Sequence, residues 1–218
     1  MKISTALTLI LSTTCFISTA IAQSGSSAKS VLDKASKVYS SYKTIMADFT
    51  LQGENQQENS NFNGNGKVYL VPGSGKFKIE MDNHAIISDG KTQWNVLLDL
   101  GEAQITDVNP NDKSINPSNI FDFYRSGYKM NKLSDAKVGV NILSVIELIP
   151  TDQSGNVSKI HLRINNSSGF IYDASVFDKN GNKYTYSLAN IEVNKTFSPG
   201  IFSFYKHNYP GIEIVDLR

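Results

Sequence analysis

The chain holds one cysteine, Cys15, and three histidines, His84, His161 and His207. Cys15 lies in a segment with the marks of a secretory leader. Lys2 is the positive start, Ile3 to Ile17 is apolar but broken by Ser and Thr, and Ala20-Ile21-Ala22 is a small-x-small cleavage site before Gln23. The expectation is that residues 1–22 are removed as a signal peptide and that residues 23–218 form one domain, free of disulfide and thiol chemistry. Processing as a lipoprotein at Cys15 is disfavoured, because Ser12-Thr13-Thr14 is a poor match to the small residues required before such a cysteine. No run is long and apolar enough to read as a transmembrane helix. A charge surplus is also missing. Residues 1–22 contain Lys2 and no acid, so the remainder carries 20 basic against 20 acidic residues. That balance excludes the electrostatic footprint of a nucleic-acid binder or an anionic-membrane binder.

Chemistry-bearing patterns are equally scarce. The histidines have no metal-ligand spacing, and His161 alternates with Ile160, Leu162 and Ile164 as a water-facing residue does. Gly73-Ser74-Gly75-Lys76 fails as a phosphate loop: Leu70 stands where Gly is needed, Phe77 replaces Ser or Thr, and a strand follows where a helix must. No serine sits in a Gly-x-Ser-x-Gly elbow. The carboxylates are scattered. The expected inventory is therefore no catalytic residue, no metal and no cofactor. An enzyme would need two distant acids to converge with raised pKa values.

What is present is apolar periodicity. Ala28, Val31, Leu32, Ala35, Val38, Tyr39 and Tyr42 form one helical stripe over 28–42, with Ser26 or Ser27 as cap. The period then becomes two. Ile45, Ala47, Phe49 and Leu51 alternate with polar residues. Residues 53–65 are Asn- and Gln-rich and read as a loop or a long hairpin tip. Val68 and Leu70 open a strand that Pro72-Gly73 stops. Phe77, Ile79 and Met81 alternate with Lys76, Lys78 and Glu80. Asp89-Gly90 predicts a two-residue hairpin turn pairing Ser88 with Lys91, Ile87 with Thr92 and Ala85 with Trp94. That register places Ala85, Ile87, Thr92, Trp94 and Val96 on one face and leaves Ile86 on the polar one. A further strand runs from Ala103 to Val108. Asn116-Pro117 predicts a helix through Ile120, Phe121, Phe123 and Tyr124, with Gly127 available to end it. Strands resume at 138–149, 158–166, 169–178, 182–193 and 211–217.

The fold class that follows is α+β. A strongly curved antiparallel sheet, an unclosed β-barrel, carries an N-terminal helix and short lid helices over its apolar concave face. The expected cavity lining is Phe49, Leu51, Val68, Leu70, Phe77, Ile79, Met81, Ile87, Trp94, Val96, Leu148 and Tyr186, joined by Ile160, Leu162, Ile164, Phe170, Tyr172 and Leu188, with either phase open for Phe170 to Phe177 because both faces there are apolar. The expected lid comprises Val31, Leu32, Ala35, Ile120, Phe121, Phe123 and Tyr124. Each such residue alone is more simply explained as core, but a curved sheet under few helices can enclose a hollow.

Four segments carry a resemblance: Ile45-Met46-Ala47-Asp48-Phe49 after the first helix, Gly66 to Pro72 followed by Lys76-Phe77-Lys78-Ile79, Ser88-Asp89-Gly90-Lys91-Thr92-Gln93-Trp94, and the closing Phe202-Ser203-Phe204 with Pro210-Gly211 to Asp216-Leu217-Arg218. In order and spacing these resemble the LolA family of periplasmic outer-membrane lipoprotein carriers. The resemblance implies a non-catalytic, monomeric, periplasmic protein. It would take an acylated lipoprotein from an inner-membrane ABC transporter, hold the acyl chains in the hollow and pass them to an outer-membrane acceptor. A lipid-binding or lipoprotein-sensing module of the same architecture is the alternative, and a secreted hydrolase the third reading. The match departs from the family at Val71, where many relatives carry a basic residue that latches the lid, and in segment 53–65. Valine has no side-chain donor, so the latch is expected to be different, weaker or absent.

Overall fold

The computed structural model describes residues 20–55, 60–109 and 123–218. Helix α1 spans Ala20–Ser40. It starts before the expected position 28, because Ser24 to Ser27 hold no proline and one interior glycine costs only about 1 kcal/mol. Ser26 and Ser27 thus lie within the helix and do not cap it. At the other end Tyr42 N donates to Tyr39 O at 3.1 Å and Ser41 Oγ donates to Val38 O at 2.6 Å, a tightened last turn. Tyr39 is buried; its ring meets Phe170 edge-on at 4.9 Å, and its hydroxyl accepts from Ile171 N.

Thirteen strands follow among the described residues: β1 Ile45–Asn55, β2 Ser60–Leu70, β3 Lys76–Met81, β4 His84–Asp89, β5 Thr92–Leu97, β6 Glu102–Asp107, β7 Tyr128–Lys132, β8 Ala136–Val138, β9 Asn141–Pro150, β10 Val157–Asn165, β11 Ile171–Asp178, β12 Lys183–Val193 and β13 Glu213–Asp216. They form one open, strongly curved sheet in the order β13-β6-β5-β4-β3-β2-β1-β12-β11-β10-β9-β7, with β8 also on β9. Neighbours are antiparallel except β13, which runs parallel to β6. A bulge in β1–β12 between Met46 and Asp48, with Asn190 at φ 50, adds to the bend.

The structure decides or revises three sequence expectations here. Of the two readings of segment 53–65, a loop or a long hairpin tip, the second holds: β1 pairs with β2 as far out as Asn55 with Ser60. Strands β7 and β8 begin at Tyr128 and Ala136, ahead of the expected 138. The β4–β5 register also differs, since Ala85 faces Val96, Ile87 faces Trp94 and Ser88 faces Gln93. The Asp89 carboxylate accepts from Lys91 N and Thr92 N, both at 2.8 Å, and this Asx turn lengthens the connection. A two-residue slip leaves the same residues together on each face of the hairpin.

Three apolar clusters hold the sheet. In the first, Ala28, Leu32 and Ala35 of α1 pack with Tyr124 on Ile146, Leu148, Ile160, Leu162 and Ile164. The second gathers Tyr39, Ile45, Ala47, Phe49, Val68, Leu70 and Phe77. The third lies against Ala85, Val96 and Ala103 and is closed by Ile212, Phe204 and Tyr209 from the C-terminal segment.

Candidate functional site

Residues directly opposite on paired strands share a face, so the register assigns every side chain. One face runs Leu188–Phe49–Gly66–Met81 and Tyr186–Leu51–Gly64 across β12, β1, β2 and β3. Val68, Ile79 and Ile86 continue it into β4, and Leu70 with Phe77 lies beside them. In the other direction it continues from Tyr186 to Ala174, Leu162 and Ile146, beneath α1. This is the concave, helix-bearing face.

Its middle is only partly filled. Leu51, Ile79, Met81 and Leu188 are half-buried, and Tyr186 is 41% exposed. Desolvation, followed by the neighbouring Tyr184, raises the Tyr186 phenol pKa above its ordinary value. Glycines set the depth of this floor. A Cβ on Gly66 would fall 2.0 Å from Glu80 O and 2.9 Å from the Phe49 ring; one on Gly64 would fall 3.0 Å from the Met81 methyl. At the outer end Phe62 lies flat over Gly53, its cross-strand partner, 6.1 Å from the Tyr184 ring. Phe49 with Gly66, Leu51 with Gly64 and Gly53 with Phe62 each set a large side chain against a glycine. The result is a shallow apolar trough lined by flexible side chains, Met81 among them.

The expected lining divides. Phe49, Leu51, Val68, Leu70, Phe77, Ile79, Met81 and Tyr186 share the concave face. Leu148, Ile160, Leu162 and Ile164 share it too, but are buried under α1. Ile87, Trp94 and Val96 do not belong to the trough. Ile79 faces Ile86, so Ile87 opposite Lys78 points to the convex side, and Trp94 and Val96 follow it. There Trp94 stacks at 6.5 Å on Phe204, which stacks at 5.4 Å on Tyr209. The sheet thus reverses its amphipathic sense between β3 and β4. Ile86, assigned to the polar side by sequence, continues the trough into β4. Beyond it the concave face is mostly polar, carrying Gln93, Asn95, Glu102, Gln104 and Thr106 with Leu97 among them.

On the lid side, Val31 is half-buried, and Leu32 and Ala35 are buried against the first cluster with Tyr124. The Tyr124 hydroxyl donates to Asp33 Oδ1 at 2.8 Å, and Arg125 reaches Ser36 Oγ at 3.3 Å. Phe123 opens a short 3-10 turn, Phe123–Arg125. Ile120, Phe121 and the Asn116-Pro117 helix opening lie outside the described residues. Val71 sits in the β2–β3 turn, where its backbone N–H donates to Lys76 O at 3.0 Å.

The Ser-Asp-Gly-Lys segment proves architectural. Buried Ser88 donates to Gly75 O at 2.9 Å, and Gly90 abuts Ser74 so closely that a Cβ would fall 2.6 Å from its carbonyl oxygen. On the convex face a polar cleft of about 370 Å³ includes His161, Arg163, Asp173 and Thr185. Its groups pair with one another: Arg163 Nε donates to Asp173 at 2.7 Å, and Ser175 meets Thr185 at 3.0 Å. Among the described residues no helix is long and apolar enough to cross a membrane.

The fold has solved counterparts. An uncharacterized conserved protein from Thermus thermophilus superposes with a TM-score of 0.60 at 14% identity, covering 87% of this chain and 99% of its own. A LolA superfamily protein from Nitrosomonas europaea gives 0.44 at 13% identity, covering 81% and 97%. A putative outer membrane lipoprotein-sorting protein domain from Vibrio parahaemolyticus gives 0.45 at 13%, again covering 81% and 97%. No curated protein matches the chain. Residues 40–205 match the family described as outer membrane lipoprotein carrier protein LolA, and the chain belongs to that family.

Proposed function

We propose that this chain is a periplasmic carrier that holds the acyl chains of lipoproteins in the concave trough and shuttles them from the inner to the outer membrane. The observation behind this reading is the half-open apolar trough across β12, β1, β2 and β3, deepened by Gly64 and Gly66, on a LolA-family fold. Each buried CH₂ is worth about 0.8 kcal/mol, so one long acyl chain faces a barrier of roughly 10 kcal/mol to crossing water unescorted. A binding trough alone lowers that barrier; no bond need be made or broken. On this reading residues 1–22 serve as the export signal, an inner-membrane lipoprotein-releasing ABC transporter is the donor, and an outer-membrane receptor is the acceptor. The carboxylates weigh against a hydrolase. Every described acid with a displaced pKa, including Asp33, Asp135 and Glu147, is shifted down, whereas a general acid must be shifted up.

Native mass spectrometry of the protein purified from periplasm tests the reading. Co-purified acylated cargo supports it. A cargo-free protein that also fails to take up a fluorescent fatty acyl probe overturns it.

A further inference from the structure

The sheet has a second hollow, the polar cleft of about 370 Å³ on the convex face, turned away from the trough. It lies across β10, β11, β12 and β1. His161, Ser175, Thr185 and Gln52 stand opposite one another in one row, and Arg163, Asp173, Ser187 and Thr50 form the next. His161 and Gln52 are three strand spacings apart, about 14 Å. These four strands are interior to the sheet and paired on both sides, so no free edge there can take up an incoming peptide as an added strand.

The base of the cleft holds an ion pair that stability does not explain. Asp173 is only 2% exposed, on a face that otherwise carries polar, water-accessible side chains. It accepts from Arg163 Nε at 2.7 Å and from Arg163 Nη2. Burying such a pair gains little over an apolar one, because both ions lose their water. What the pair does is hold the guanidinium still. Two of its five N–H donors go to Asp173, which leaves three for the cleft. The Tyr172 ring, 5.5 Å from the guanidinium carbon, supports it from the side. Around this fixed fork stand the Ser187 hydroxyl, the exposed Gln52 amide and the Ser175–Thr185 hydroxyl pair, each able to donate and to accept.

Charge narrows the class of ligand. Arg163, Lys183 and Lys159 are matched by Asp173, Glu54 and Glu147. A charged ligand therefore meets no surplus of the opposite sign. A neutral ligand with closely spaced groups that both donate and accept suits the fork, the amide and the hydroxyls. The vicinal hydroxyls of a sugar have that character. Val145 and Phe177, the apolar members of the lining, offer contact to the C–H face of a sugar ring.

We propose that the convex cleft is a binding site for a neutral saccharide, about two sugar rings long by its span. It is separate from the acyl trough and does not rest on the carrier reading. Because the two hollows lie on opposite faces, a glycan and an acyl chain can be held at once.

Ligand-observed NMR and calorimetry on the full chain test this with two neutral disaccharides, N,N′-diacetylchitobiose and cellobiose. Digalacturonate and an N-acetylated, amidated tetraalanine are the charged and peptide controls. At least one disaccharide is expected to bind with a Kd of about 1 mM or tighter, and both controls more weakly. Ser187→Val puts a branched apolar side chain into the cleft at a half-buried strand position. Arg163→Lys keeps a cation beside Asp173 and loses the fork. Each is expected to weaken disaccharide binding about tenfold, with circular dichroism and uptake of a fluorescent acyl probe unchanged. Should Arg163→Lys fail to fold, Ser187→Val decides alone. Absence of disaccharide binding at about 10 mM overturns the proposal. So does binding that the folded variants retain at wild-type strength, which would mark adventitious contact elsewhere. A control that binds as tightly as the disaccharides, or more tightly, overturns the ligand class.

Discussion

Tyr124, almost wholly buried against α1, donates its hydroxyl hydrogen to Asp33 Oδ1 at 2.8 Å. This bond ties two parts of the expected lid, the turn Phe123–Arg125 and helix α1, to each other. Lys29 and Tyr124, in that order, hold the Asp33 carboxyl below its ordinary pKa. A carboxylate whose folded pKa is depressed stabilises above its unfolded value and loses that contribution as pH falls through the folded one. The fastening should therefore be intact at pH 7 and weaken below about pH 4. Tyr124→Phe keeps the ring and removes the hydroxyl that donates to Asp33. We expect a stability loss of about 1 kcal/mol and faster exchange of a bound acyl probe, read by stopped-flow fluorescence. Unchanged exchange would dissociate this contact from the opening step.

The two faces of the β3–β5 region make opposite predictions. Phe77 is buried on the concave side, and Trp94 is stacked beneath Phe204 on the convex side. Phe77→Glu places a charge in the trough and should abolish uptake of a fluorescent acyl probe by protein that retains its circular dichroism. Trp94→Ala removes the stack and should cost about 2 kcal/mol in urea unfolding, with uptake unchanged in the folded fraction. Loss of uptake in folded Trp94→Ala would return Trp94 to the ligand site.

Much of the fold is legible in period-two alternation, because each strand must present one apolar face to something. The alternation does not say which side of the sheet that face is on. Phe77, Ile79 and Met81 on β3 and Ile87, Trp94 and Val96 on β4 and β5 look alike in sequence, yet they point to opposite sides. The Met81–His84 connection decides between them. The partner of the second set, Phe204 with Tyr209 and Ile212, lies more than a hundred residues downstream. Such a long-range choice leaves no local trace. The glycines hide the trough in the same way. Asn61 to Gly66 reads as a polar loop or hairpin tip because Phe62 is the one apolar side chain among asparagines and glycines, although the alternation of Phe62, Gly64 and Gly66 is the strand signal. Strand β7 is hard to see in sequence for a related reason: Tyr128 and Met130 alternate with Lys129 and Asn131 over only five residues.

Gly66 and Gly64 line the same trough but should respond differently to alanine. At Gly66 the new methyl meets a backbone oxygen, Glu80 O, which moves only if the β2–β3 ladder moves. We expect Gly66→Ala to cost about 3 kcal/mol, roughly 8 °C in Tm. At Gly64 the obstacle is the far end of the Met81 side chain, which can rotate away. Gly64→Ala should stay within about 1 kcal/mol of the wild type in thermal melts. Equal effects at the two positions would contradict this account of the floor.

Glu147 lies on the convex face between Asn131 and His161, its cross-strand neighbours on either side. Burial disfavours its charge, but hydrogen bonds from His161 at 3.1 Å and Asn131 at 3.4 Å outweigh that effect and leave its pKa below the ordinary 4.5. Lys159, 3.9 Å away, acts in the same direction. The sign is that of a depressed acid: its contribution is complete above pH 4.5 and disappears as the pH drops through the lower folded value. The pair is partly exposed, so the amount is on the order of 0.5 kcal/mol. Urea unfolding of Glu147→Gln should show a lower midpoint than wild type at pH 6, and the two midpoints should converge by about pH 3. Midpoints that remain equally separated over that range would mean that glutamine disturbs packing and that the charge at position 147 contributes nothing.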